Sequence, residues 1–264
     1  MLSIVIVNFK NPPLLRLCLK SLERVLDPAF SKEIIVIDVA SIPETRSVVT
    51  EGFPQAKIFP FKKNIGFTRG INEGIKKSQG DFILLLNADL IPTPHAVENM
   101  YNFMKAHPEI GITGPKLINF DGSDQDSCFR FPALVTILYR RTFLGRTSFG
   151  KKHLDRFLMK DKDKSKTIEA DWLFGSPIMI SRKGIDKVGL MDERFFLYMS
   201  DIDWPRRFWE NGFKVLYYPE AKMYHYHLRH SKGKYGVLDA IFKKESRWHI
   251  FDALRYFLKY GFNK

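Results

Sequence analysis

The chain has 264 residues, 45% of them hydrophobic, and a formal net charge of +13. That is enough apolar material for one large domain, or one domain with an appendage, and it excludes wholesale disorder. The charge points to an anionic partner (a nucleotide, a nucleic acid or an acidic membrane surface) without choosing among them. Cys18 and Cys128 match no metal-ligand spacing and indicate no disulfide framework, so a reducing cytosolic setting is expected. Met1 leads straight into an apolar run with no charged leader, and no apolar stretch approaches the roughly 18 residues that span a bilayer. The expectation is a cytoplasmic protein, soluble or peripheral on the inner face of the cell membrane.

In chain order, residues 2–7 form an apolar run that ends at Asn8-Phe9. Pro12-Pro13 open a helix whose Leu14, Leu15, Leu17, Cys18 and Leu22 are spaced for one buried face. Strands are expected at 34–37, ending at Asp38, and at 56–59, with a weak helix at 44–50 between them. A glycine-bearing loop from Asn64 runs into a helix that reaches about Ser78. The run Phe82-Ile83-Leu84-Leu85-Leu86 then stops at Asn87-Ala88-Asp89, which reads as a strand buried on both faces. This alternation is that of a parallel sheet with helices over its faces. Beyond it are a helix at 96–106, a strand at 111–117 and a tight hairpin turn at Asp121-Gly122. Residues 134–168 read as a basic insertion, mobile or surface-docking, with Arg140-Arg141 and Lys151-Lys152. Strand-like sequence returns at 170–181, followed by a short helix at 184–188, a loop and helix at 201–211 and a strand at 213–218. The tail, 232–264, is helical, basic and aromatic, with Phe242, Trp248, Phe251, Leu254, Phe257 and Leu258 among Lys and Arg. It suits a membrane surface or a helix packed on the domain before it.

In open α/β sheets the chemistry sits outside the carboxyl ends of the strands. Asp38, Asp89 and the pair Asp201/Asp203 fall there, or in the loop after a strand. Asp38 can accept a hydrogen bond from a base imide. Asp89 can hold a hard cation, Mg²⁺ or Mn²⁺, shared with a substrate diphosphate, or it can merely cap the next turn. In the loop Asn64-Ile65-Gly66-Phe67-Thr68-Arg69-Gly70-Ile71-Asn72, Gly66 and Gly70 allow close backbone approach, the helix offers N–H groups to phosphate, and Arg69 adds charge. The other reading is a turn whose glycine is needed for packing.

Taken in order, Val5-Ile6-Val7-Asn8-Phe9, Asp38-Val39-Ala40-Ser41, Asn64-Ile65-Gly66-Phe67, Leu86-Asn87-Ala88-Asp89, Asp171-Trp172-Leu173-Phe174-Gly175 and Phe195 through Asp203 resemble the family 2 glycosyltransferases. The likeness is to their bacterial rhamnosyltransferase-like branch, over residues 1–231. It implies a GT-A (Rossmann-like), mostly parallel sheet flanked by helices, with 232–264 as a helical extension. It also implies an inverting transfer of a sugar, such as rhamnose or another deoxyhexose, from a nucleoside-diphosphate donor. The implied acceptor is a glycan or a polyprenyl-linked glycan of the cell surface. By this likeness Asp201 is the catalytic base and Asp89 the metal ligand, with His225 approaching the metal or diphosphate. Val7, Asn8, Phe9, Asp38, Ser41, Asn64, Gly66, Arg69, Asn72, Asn87, Ala88 and Gly175 are expected to line the nucleotide sugar. The chain departs from the family at Val39, where an Asn is usual, and at Ser200, where a Glu is usual. The second change removes a carboxylate that would raise the pKa of the base. Asp203 reads as the cap of the helix that Pro205 begins. Rival readings are a nucleotidyltransferase, a catalytically impaired relative and a basic nucleic-acid-binding protein. The spread of the cations along the chain and the acidic strand ends argue against nucleic acid.

Overall fold

A computed structural model describes residues 1–226 and 244–261. Strand β1 (Leu2–Asn8) leads into helix α1 (Pro12–Val25), where Asn11 Oδ1 accepts from the Leu14 N–H at 3.2 Å and Pro12 needs no donor. Then follow β2 (Lys32–Asp38), α2 (Pro43–Gly52), β3 (Ala56–Pro60), α3 (Phe67–Lys77) and β4 (Phe82–Asn87). The chain continues through β5 (Leu90–Pro92), α4 (Ala96–Ala106), β6 (Ile110–Asn119), β7 (Asp124–Gln125) and β8 (Cys128–Phe129). Helices α5 (Leu134–Arg141) and α6 (Ser148–Phe157) come next. They are followed by β9 (Ile168–Glu169), β10 (Trp172–Leu173), β11 (Ile178–Ser181), α7 (Arg182–Val188), α8 (Ser200–Glu210), β12 (Lys214–His225) and α9 (Lys244–Tyr260).

The main sheet runs β3-β2-β1-β4-β11-β6-β12-β5, and β1 to β4 are mutually parallel. The order reverses between β1 and β4, which makes the crevice at their carboxyl ends the place for a ligand. Strand alternation sorts the core. Leu2, Ile4 and Ile6 face α1, α2 and α4, whereas Val5 and Val7 face α3, α7 and α8.

Four expectations need correction. The 170–181 stretch is two strands, and β11 is inserted antiparallel between β4 and β6. Of the two readings of the 134–168 stretch, mobile or surface-docking, the first does not hold. Its helices form a hairpin closed by Thr136 Oγ1 against His153 Nε2 at 2.7 Å, and Phe157 is buried against Phe129 and Trp172. The last strand does not stop at Tyr218 but bulges and resumes to His225, so this histidine lies on the sheet. Helix α8 begins at Ser200 with Met199 in the left-handed region (φ 65°). Asp203 is therefore inside the helix rather than at its cap, and Pro205 sits in its interior.

The tail packs on the domain. Ala253, Tyr256 and Phe257 of α9 join Phe195, Met199, Ile202 and Trp172 in one buried cluster, while Ile250, Phe251, Leu254 and Leu258 face outward. The expected boundary at 231/232 and Phe242 lie outside the described residues. Among the described residues no helix is long and apolar enough to cross a membrane.

Candidate active site

At the β1/β4 crevice, parallel register sets Asn8 beside Asp38 and Val7 beside Asn87. Asn8 and Asp38 are fully buried, and Asn8 Nδ2 donates to Asp38 Oδ1 at 2.9 Å. The other oxygens, Asp38 Oδ2 and Asn8 Oδ1, are buried with no hydrogen-bond partner. Unpaired buried polar atoms are costly, so this pair at a sheet switch point is a candidate place for a ligand that supplies donors.

Asp89 has the same character. Its Oδ1 is buried and unpaired, while its Oδ2 lies 3.5 Å from His225 Nε2. Strand β12 pairs His225 with Leu90, which brings the imidazole back to the end of β4. On its far side His225 Nδ1 lies 2.9 Å from Gln125 Oε1. A ligating histidine is commonly oriented in this way by a partner on its second nitrogen. Among the described residues no three His, Cys, Asp or Glu side chains converge as a metal cage. Asp89 and His225 offer a carboxylate and an imidazole side by side, groups of a kind that can bind a cation whose other positions are filled by water and substrate oxygens.

The segment after β10 joins this pair to Asp201. The Phe174 ring lies 5.4 Å from the His225 ring. The next residue, Gly175, has no room for a side chain, because a Cβ there would come within 2.8 Å of Asp201 Cβ. Asp201 is half-buried in the first turn of α8. Burial pushes its carboxyl up to about 6, against the opposing pull of its own backbone N–H, the Arg140 guanidinium and the Gly175 N–H. Burial thus raises the base without the neighbouring carboxylate that Ser200 lacks. The Ser200 hydroxyl is itself buried and unpaired.

The loop that carries Asp201 is held from α9. Asp252, 1% exposed, accepts from the backbone N–H groups of Phe196, Leu197 and Tyr198 at 3.4, 3.2 and 3.1 Å. Asp203, also buried, accepts from Arg207 Nε at 3.0 Å, from Tyr260 Oη at 2.7 Å and from Lys259. Neither Asp252 nor Gln125 was picked out from the sequence. A signal for Asp252 exists, since a carboxylate between Trp248 and Tyr256 at helical spacing sits on the apolar face of α9. No comparable signal exists for Gln125, whose role depends on the β6–β7 hairpin meeting β12.

Other expected site residues have work within the fold. Asn72 is a clasp rather than a nucleotide ligand. Its amide donates to Met191 O and Glu193 Oε1 at 2.9 and 3.0 Å and accepts from the Met191 N–H at 3.0 Å. Gly70 serves packing, since a Cβ would fall 2.6 Å from Val39 Cγ1. Val39 in turn is core against α3, which is what replaces the usual Asn. Gly66 has a positive φ of 81°, and a side chain there would strike Phe196. The first N–H of α3, on Phe67, is taken by Phe196 O at 3.1 Å and is not offered to phosphate. Asn64 Oδ1 closes this turn on the Gly66 N–H at 2.9 Å. The Val7 carbonyl accepts from the Ala88 N–H at 3.2 Å, and the Ser41 N–H donates to Phe61 O at 2.8 Å. Phe9 and Arg69 are exposed, and Arg69 makes no ion pair among the described residues. The structure therefore brings Asn8, Asp38, Asp89, His225, Gly175 and Asp201 to one edge and leaves Asn72 and Gly70 to packing.

The mixed sheet flanked by helices, with these carboxylates at its carboxyl edge, is an architecture shared with GT-A glycosyltransferases. The chain belongs to the glycosyl transferase family 2, whose model matches residues 3–188. It is similar to the N-acetylglucosaminyl-diphospho-decaprenol L-rhamnosyltransferase of Mycobacterium tuberculosis, 24% identical over 247 residues, which cover 88% of this chain and 78% of that protein. It is also similar to the low-salt glycan biosynthesis hexosyltransferase Agl10 of Haloferax volcanii, 24% identical over 76% of this chain and 59% of the relative. Among solved structures, GalNAc-T7 with UDP, GalNAc and Mn²⁺ matches with a TM-score of 0.66 at 16% identity, over 91% of this chain and 47% of that one. Staphylococcus aureus TarS matches with a TM-score of 0.59 at 14% identity, over 85% and 60%. This chain thus spans about half the length of the GalNAc-T7 chain.

Proposed function

We propose that the protein is an inverting transferase that moves a deoxyhexose, rhamnose in the first instance, from a nucleoside-diphosphate donor to a lipid-linked glycan. The observation that carries this reading is the run of contacts from Asp89 through His225, Phe174 and Gly175 to Asp201, with unpaired buried oxygens at its donor end. Asp38 and Asn8 receive the base of the nucleotide. Asp89 and His225 would hold a divalent cation, which when bound stabilises the charge building on the leaving diphosphate. Asp201 takes the proton from an acceptor hydroxyl as that oxygen bonds to the anomeric carbon. The bond from that carbon to the diphosphate breaks on the opposite face. A base near 6 is ionised at neutral pH yet still basic enough to accept a proton. The likeness to the mycobacterial rhamnosyltransferase supports the sugar and a polyprenyl-diphosphate acceptor, and with them a peripheral place on the inner face of the cell membrane.

Nucleoside diphosphate release from a panel of nucleotide sugars tests this reading, with Mn²⁺ or Mg²⁺ and with chelator, in wild type and Asp89→Ala. Metal-dependent release from a deoxyhexose donor, lost in the variant, is expected. Calorimetry with the same nucleotides and metal accompanies it, and failure to bind any of them would end the proposal.

A further inference from the structure

Fourteen large hydrophobic side chains are exposed among the described residues, and nine of them lie on just two elements, the α5–α6 hairpin with five and α9 with four. Phe149 and Phe143 of the hairpin are the most exposed of all, at 83% and 76%. Single exposed rings are ordinary, but a concentration of this kind marks an interaction surface. The two elements are neighbours. Ile137 of α5 packs on the cluster that contains Ala253, Tyr256 and Phe257 of α9. His249 of α9 is held down at about 4 by burial and by the nearby Arg141 and Arg140 guanidiniums.

The charge around these rings is predominantly positive. Residues 134–157 contain six Arg or Lys and a single carboxylate, Asp155. Asp155 is already paired with Lys160 at 2.7 Å. Arg146, Lys151, Lys152 and Arg156 make no ion pair among the described residues. Lys151, Lys152 and Arg156 line an open groove of about 760 Å³ beside α6, where Arg130 is tied to Asp161 at 2.7 Å. Exposed aromatic rings flanked by unpaired cations fit an anionic lipid surface. The rings enter the boundary between headgroups and acyl chains, and the cations meet lipid phosphates. An acidic protein partner would satisfy the cations but would offer less to two rings that stand almost wholly clear of the fold.

We propose that the α5–α6 hairpin, with the outward stripe of α9 beside it, docks the protein on an anionic bilayer. Phe143 and Phe149 insert, and Lys151, Lys152 and Arg156 bind headgroup phosphates. The proposal rests on the function given above and deepens it, since Arg140 of the same hairpin lies within electrostatic reach of Asp201. A lipid-borne acceptor would then reach the cleft without leaving the membrane.

Co-sedimentation of the full chain with vesicles tests this without donor or acceptor. Vesicles of phosphatidylglycerol with phosphatidylcholine are compared with phosphatidylcholine alone, at low and high salt. Binding is expected only to the anionic vesicles, weakening as salt rises. Neutralising both Lys151 and Lys152 to Ser is expected to weaken it about 25-fold, roughly fivefold for each charge lost near the surface. Phe143→Ser with Phe149→Ser is expected to abolish sedimentation while donor hydrolysis in solution stays at the wild-type rate, which also shows that the variant is folded. Equal binding to both vesicles, no binding to either, or binding that both double variants leave unchanged would overturn the proposal. None of these outcomes bears on nucleotide binding, so a failure here is separable from a failure of the transferase reading.

Discussion

Buried aspartates occupy two regions of this molecule in opposite ways. At the carboxyl edge of the parallel strands, Asp38 and Asp89 each keep a buried oxygen without a partner. At the junction of α8 with α9, Asp203 and Asp252 are buried as deeply as Asp38 and more deeply than Asp89, yet they are surrounded by donors from Arg207, Lys259, Tyr260 and three backbone N–H groups. Burial alone does not separate a ligand site from a structural clamp. Hydrogen-bond satisfaction separates these four carboxylates, because a saturated one has nothing left to offer a substrate while an unsaturated one keeps an oxygen free to accept. Asp201 lies between the two regions. It sits in the first turn of a helix that the clamps hold, and its own carboxyl is raised by burial.

Four measurements test this contrast. The largest effect belongs to Asp201→Asn, which should lower kcat by about 10²- to 10⁴-fold, the usual worth of a general base, with donor affinity unchanged by calorimetry. Next, Asp252→Ala should destabilise the fold by about 3 kcal/mol in denaturant titration, because it leaves three partly buried N–H groups without their acceptor. Asp252→Asn, which keeps an acceptor oxygen, should recover part of that loss. If Asp252→Ala lowered donor affinity with no loss of stability, the clamp reading would be wrong.

Asp38→Asn should behave in the reverse sense. Nucleotide affinity is expected to fall by roughly tenfold or more, the worth of a hydrogen bond to a charged group, with stability held within about 1 kcal/mol. A stability loss as large as that of Asp252→Ala would erase the distinction between the regions.

The smallest effect is on pH. The folded-state value of about 6 for Asp201 lies above its ordinary value of 3.8, so the folded chain binds more protons between the two. Stability therefore falls as pH rises through that window, and the cost is present in full above it. Asp201→Asn removes the cost and should be more stable than wild type at pH 8 by about 1–3 kcal/mol, with no advantage at pH 3. In the wild type, kcat should climb with pH up to about 6 and then level off.

Much of this was legible in the residues. The apolar runs before Asp38 and Asp89 are strands because both of their faces are covered, and the polar residue that ends each run lies at the sheet edge by geometry alone. The ordered set of short motifs was enough to indicate the family and the class of fold. Local sequence misled where a residue's partner lies far along the chain. Pro205 suggested a helix start, yet α8 begins five residues earlier, because the loop before it is pinned by Asp252, more than fifty residues away. Asn72 looked like a nucleotide ligand until its amide was found clasping Met191 across 119 residues.

By itself the sequence determined the strand–helix alternation, the family and the positions of Asp38, Asp89 and Asp201. Hydrophobic periodicity and short motifs are local properties and survive without the fold. That α9 packs on the domain, that the basic insertion is a helical hairpin, and that His225 meets Asp89 through the pairing of β12 with β5 emerge only in the fold. Each of these depends on which distant segments share a core, and hydrogen-bond saturation follows from the same contacts.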